Sequence, residues 1–240
     1  MANKNRKFVK ADNPAESSDR PHTPSTKPER RQKATGKRVA AVIFWLLGLA
    51  CEIFCILIIN KTLYFEGDKQ MYFLIGGLVA DLIFVIIGSQ FWKRANDVDP
   101  ASESNKVKFF LWNQMGLIAA IICFFPIVLI LLNNKDLDKK TKKVTSIVAA
   151  CALVVASLCS IDWNPVSEED LNNAVAEYGD TTVYWTVYGR KYHLDPDCQS
   201  IQNSATVYEG TIDQAYEAGR NAPCKFCAQQ EASAQLAPQQ

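Results

Sequence analysis

Four long apolar runs dominate the chain, at about 39–59, 71–91, 109–132 and 144–161. Each holds about 18 to 24 residues, the length at which a helix crosses a hydrocarbon core of roughly 30 Å. A soluble bundle would need a polar stripe along each helix, and none of these runs has one. Backbone groups in lipid must be satisfied within the segment, which leaves helix as the state of each run. Tyr64, Phe65, Tyr72, Trp92, Trp112 and Trp163 stand at the ends of the runs, where aromatic rings suit a membrane interface.

The flanks follow other patterns. Residues 1–37 hold Pro14, Pro21, Pro24 and Pro28 among polar and basic residues, with no apolar stretch of the signal-peptide kind. They read as a disordered basic tail. Ser167-Glu168-Glu169-Asp170 opens a helix by capping-box chemistry within an acidic linker over 163–182. Residues 183–188 are rich in β-branched and aromatic side chains. Gly189-Arg190 turns the chain and Lys191–His193 returns as a second strand. Residues 206–209 form a third strand, and Thr211 caps a short helix that ends at Gly219.

The near-neutral charge of +1 conceals a partition. Residues 1–38 carry eleven Lys/Arg against four Asp/Glu, and residues 162–240 carry four against twelve. The basic residues before the first run place the N-terminus in the cytoplasm, with contact to anionic lipid headgroups open to the tail. The loops disagree about the remainder. Lys135, Lys139, Lys140, Lys142 and Lys143 would lie outside if all four runs cross, whereas a re-entrant third run near Pro126 would give three crossings and an external C-terminus. Hydropathy favours four crossings and charge favours three. We take four as the expectation, and the side of the C-terminal region stays open.

Glu52 and Asp81 are carboxylates inside the runs, where an acidic residue costs about 2.5–3.5 kcal/mol and is a functional candidate by default. They would serve a small ion-conducting or transporting bundle, or else be protonated and bonded to a neighbour such as Asn113 or Gln114. Ala152, Ala156 and Ser160 line one helical face that suits internal packing or a homo-oligomer. Cys51, Cys55, Cys123, Cys151 and Cys159 act as small hydrophobes.

Beyond the runs, His193 and Cys198 precede Cys224 and Cys227 by a hairpin-plus-helix length. Zinc takes four such donors in a tetrahedron, and two cysteines three apart turn both sulfurs to one ion. A region this small and poor in aliphatics needs a metal or disulfides, and three cysteines cannot all pair. The expected ligands of Zn2+ are therefore His193, Cys198, Cys224 and Cys227, with Asp195 or Asp197 as substitutes for His193. The other reading is a Cys224–Cys227 redox pair.

Lys191-Tyr192-His193, Cys198, Ala218-Gly219 and Pro223-Cys224-Lys225-Phe226-Cys227 resemble the small zinc modules of the Ada metal-binding type, which are appended to nucleases, DNA-uptake proteins and bacterial surface proteins. The resemblance covers about 184–228 and implies a zinc-stabilised fold. In the Ada domain four cysteines bind the metal, so His193 in the first position departs from the methyl-accepting pattern. Nucleic acid is not expected as a partner, because 183–231 hold four basic and six acidic residues. His193-x-Asp195 with Pro223-Cys224-x-x-Cys227 also resembles a zinc deaminase signature, although Asp195 replaces its Glu and the region is short for that fold.

The expected fold class is a mainly α membrane bundle of four transmembrane helices over 38–162, followed by a small α+β zinc module over 183–230. No enzymatic constellation is expected. The module would have an interaction or sensing role with an unidentified protein partner, anchored in the cell membrane.

Overall fold

A computed structural model describes residues 6–11, 25–66 and 68–229. The chain divides into two compact units. One comprises Lys33–Asn96 and Ser104–Pro165. The other gathers Asp97–Glu103 and the regions up to Gln32 and from Val166 onward.

The first unit is helical. Among the described residues, four helices are long and apolar enough to cross a membrane: α1 (Lys27–Ile59), α2 (Lys69–Val98), α4 (Met115–Asn133) and α5 (Lys139–Ser160). A short α3 (Lys106–Asn113) precedes α4. The bundle buries Leu74, Leu78 and Val85 of α2 with Phe124, Ile127 and Leu131 of α4 and Ala149, Ala152 and Ala156 of α5. Leu46, Ile53, Ile122 and Val154 point outward and stay exposed. Helices apolar on both inner and outer faces are what a lipid environment demands.

The third apolar run differs from one continuous span. It breaks at Gln114, whose amide nitrogen donates to the Asp162 carbonyl (2.9 Å) while its oxygen accepts from the Asp162 N–H (3.2 Å). Asn113 is engaged by Phe109 and Asn96. The part that remains is one helix of 19 residues running through Pro126, about 28 Å at 1.5 Å per residue.

Small residues let the helices close. A Cβ on Gly116 would lie 2.8 Å from the Ser89 hydroxyl oxygen and 3.1 Å from the Ser160 carbonyl. The Ser160 hydroxyl meets that of Ser89 at 2.9 Å. The Ala152, Ala156 and Ser160 face is buried within this bundle. Arg38 lies over the Trp112 and Trp92 rings at 5.2 and 6.0 Å.

The second unit departs from the expected domain limits. Within residues 1–37, Lys7–Lys10 is a strand, β1, and α1 already begins at Lys27. Residues 1–5 and 12–24 of that expected disordered tail lie outside the described residues. β1 pairs in parallel with β3 (Thr206–Gly210), and β2 (Val183–Trp185) pairs with β3 antiparallel on the other side. α6 (Glu168–Tyr178) has the capping box expected at Ser167 and Asp170. It is no free linker: Leu171 and Ala174 share a core with Val183, Trp185, Ile212 and Tyr216. Thr211 caps α7 (Ile212–Glu217) through a second capping box with Gln214.

The expected return strand at Lys191–His193 shrinks to single bridges, Tyr184 with His193 and Tyr192 with Pro223. The cause is local. Arg220 donates to the Thr186 carbonyl (2.9 Å) and to that of Val187 (2.5 Å), and the Thr186 hydroxyl accepts from the Gly189 N–H (3.1 Å). Those groups are thereby withdrawn from a hairpin ladder.

Candidate metal centre

Backbone hydrogen bonds fix three of the four expected donors. His193 exchanges two bonds with Tyr184, at 2.7 and 2.8 Å. Cys198 follows a tight turn in which the Asp195 carboxylate accepts from the Asp197 N–H (2.8 Å) and the Asp195 carbonyl accepts from the Cys198 N–H (3.2 Å). Its own carbonyl then accepts from Ile201 and Gln202. Cys224 is tied to Tyr192, whose carbonyl accepts its N–H at 2.9 Å. The chain then enters a helical turn over 225–229, which carries Cys227 back toward Cys224.

One donor atom from each of His193, Cys198, Cys224 and Cys227 lies within 4.8 Å of all the others, and all four residues are buried. Cys198 Sγ is 3.9 Å from Cys224 Sγ, and Cys227 Sγ is 3.9 Å from His193 Nδ1. Donors at Zn–S distances of 2.3 Å on a tetrahedron stand about 3.8 Å apart, so the spacing fits such an ion. It does not fit a Cys198–Cys224 disulfide, which needs about 2.05 Å. The donor set could hold a metal such as zinc.

The surroundings match. Ile201 and Val207 form an apolar shell with the three cysteines, and Tyr184 and Leu194 pack against it. Burial pushes the Cys198 thiol up to about 11 in the absence of an ion. Burial also raises Cys224, but hydrogen bonds from Ser200 and from the backbone N–H groups of Phe226 and Cys227 outweigh it and bring that thiol below its usual value. Burial, with a lesser contribution from Lys191, lowers His193 and so favours the neutral form, the one that ligates.

Asp195 and Asp197 stand outside the cluster: the first shapes the turn, and the second pairs with Arg6. Ser200, whose hydroxyl lies 3.7 Å from Cys224 Sγ, is a contact that sequence spacing did not single out. Its one signal is its place two residues after a cysteine in a polar turn.

Glu52 and Asp81 are both buried, and neither meets the partners the sequence offered, since Asn113 and Gln114 are bonded elsewhere. Both oxygens of Asp81 and Oε1 of Glu52 have no hydrogen-bond partner among the described residues. A Cβ on Gly48 would lie 2.7 Å from Asp81 Oδ1. Glu52 follows Gly48 by one helical turn, on the same face of α1. The Cys55 thiol donates to the Leu74 carbonyl (3.8 Å) and fills the core.

No protein-family model matches the chain, and neither the curated proteins nor the solved structures searched give a match.

Proposed function

We propose that the protein is a multi-pass membrane anchor for a small structural zinc module, with an interaction or sensing role on the cytoplasmic face. The observation that carries this reading is the buried convergence of His193, Cys198, Cys224 and Cys227. Four protein donors close a tetrahedron, and a closed zinc site is structural because it leaves no position for a reactive water. That argues against a deaminase-like hydrolase. The ligand spacing remains similar to that of the Ada-type zinc modules, with a histidine in the first place.

Contacts within the second unit support the cytoplasmic side. The Lys27 ammonium pairs with Glu168, and the Ser25 N–H donates to Asp213 (2.9 Å). In the α2–α3 loop, the Ala101 carbonyl accepts from the Glu168 N–H (3.0 Å). The segment before the first span, the loop after the second and the region after the fourth meet in one unit, which is what an even number of crossings would give. The side on which they meet carries Lys27, Arg30, Arg31, Lys33, Lys37, Arg38, Lys93, Arg94, Lys106 and Lys108. It outnumbers Lys61, Lys69 and the five lysines of 135–143 on the other side, which favours the cytoplasm. Protease protection in intact cells tests this: a tag after Gln240 stays protected, and digestion of that tag from outside contradicts the reading.

A second reading is favoured by the unpartnered carboxylate oxygens of Glu52 and Asp81. Buried acids without a basic partner mark proton or cation paths in membrane bundles. Purified protein in vesicles is expected to pass protons or alkali cations, with Asp81→Asn abolishing the flux. A flux equal to that of protein-free vesicles removes this reading.

A further inference from the structure

The edge of β3 opposite β2 is covered by a segment almost two hundred residues away in sequence. Lys7 N–H donates to the Ala205 carbonyl and Ala11 N–H to the Glu209 carbonyl, both at 2.9 Å. The register pairs Phe8 with Val207 and Lys10 with Glu209. Two side chains reinforce the backbone ladder. Arg6 donates to the Pro196 carbonyl (2.8 Å) and pairs with Asp197, next to Cys198 in the chain. Phe8 meets Tyr184 edge-on, with ring centroids 6.3 Å apart, and Arg6 lies 5.5 Å from the Phe8 ring.

This strand is held differently from the rest of the module. Lys7, Phe8 and Lys10 are exposed and Val9 is half-buried, so main-chain bonds and the Arg6 and Phe8 contacts carry the attachment. Elements with few buried apolar contacts open at low free energy. β3 itself is anchored without it, by β2 on one edge and by Val207 within the cysteine cluster. The charges are complementary: Arg6, Lys7 and Lys10 lie on a region with four basic and twelve acidic residues from Asp162 on.

We propose that the β3 edge is a capture surface for extended basic–apolar peptide segments, occupied in the resting chain by its own Arg6–Ala11. A partner segment of the same chemistry adds a parallel strand to β3, places a basic residue at Asp197 and an aromatic ring on Tyr184, and displaces the resident strand. This is β-augmentation: main-chain bonds supply affinity and the two side-chain contacts supply choice. The proposal rests on a folded β3 edge and on no particular metal.

The test uses the full chain in detergent and a fluorescent peptide with the Arg6–Ala11 sequence. Lys7 and Ala11 turn their N–H groups to β3, so Val9, two residues from each, does so by strand alternation. Val9→Pro removes that donor and frees the edge, and Phe8→Asp frees it by a separate route. Both variants are expected to bind the peptide at least tenfold more tightly than the unaltered chain, and an aspartate in place of the peptide's phenylalanine is expected to abolish binding. Zinc is measured on the same samples. Variants that keep their zinc yet bind no better than the unaltered chain overturn the proposal. Tighter binding by both variants in samples without zinc supports the capture surface and contradicts only the metal-centre reading.

Discussion

Cys198 Sγ stands 3.9 Å from Cys224 Sγ across 26 positions of sequence. Thiols at that distance, with a third cysteine and a histidine beside them, share a space that suits one ion and brings together the ends of the module. A metal held there would do the work of a larger core, since the apolar shell around these donors is confined to a few residues such as Ile201 and Val207.

Chelation is therefore expected to loosen the module while sparing the bundle. Zinc contributes about 10–16 kcal/mol of apparent folding free energy to small modules of this kind. Amide exchange of Tyr192, Val207 and Cys224 should accelerate at least a hundredfold after a strong chelator, with Phe124 and Ile127 unchanged. Protection that survives chelation in the module would contradict the dependence.

Helix contact in the bundle is set by Gly116. With Ser89 Oγ only 2.8 Å from an added Cβ and the Ser160 backbone at 3.1 Å, Gly116→Val must displace α4. Overpacking of this kind costs about 1–3 kcal/mol. Thermal unfolding in detergent should show the loss, and Ala119→Val on the half-buried part of α4 should show much less.

Glu169 supplies a pH-dependent contact. The Ser102 hydroxyl and then the Glu103 N–H (2.9 Å) hold its carboxylate, and both lower its pKa. A carboxylate depressed on folding contributes stability above its unfolded pKa, about 4.3, and loses it as pH falls through the folded value. The protection factor of the Glu103 amide should exceed that of Glu169→Gln at pH 6 and converge with it as pH falls through the lowered folded pKa. Equal protection at pH 6 would show that the contact does not order the loop.

The cap of α6 is a further local test. Ser167 Oγ accepts from the Asp170 N–H (3.0 Å), and Asp170 accepts in return from the Ser167 N–H. Ser167→Ala is expected to destabilise the module by about 1 kcal/mol, with metal content unchanged. Hydrogen exchange along α6 measures it, and an unaltered profile would discount the cap.

Features written in nearby residues were legible in the sequence. Ser167 with Asp170, and Thr211 with Gln214, announced their helices because a capping box is contained in four consecutive residues. The grouping of His193, Cys198, Cys224 and Cys227 was legible because a donor pattern at this spacing constrains residue type. What required long-range contact was not. The parallel strand Lys7–Lys10 is four residues inside a basic segment, and its partner lies near residue 206. Gln114 breaks the third apolar run through a bond to Asp162, 48 positions on. Lys191–His193 had strand composition, but the carbonyls it would have paired with turn to Arg220. α6 looked like a linker because its polar face dominates the sequence, while Leu171 and Ala174 are buried in the core and Val175 and Tyr178 pack against it.

The most direct test of the central claim is X-ray absorption at the zinc edge on purified full-length protein, with metal content measured on the same sample. One zinc per chain with three sulfur neighbours and one nitrogen neighbour is expected, falling to substoichiometric metal in Cys198→Ser. A chain without metal, or a zinc shell unchanged by Cys198→Ser, would contradict the account.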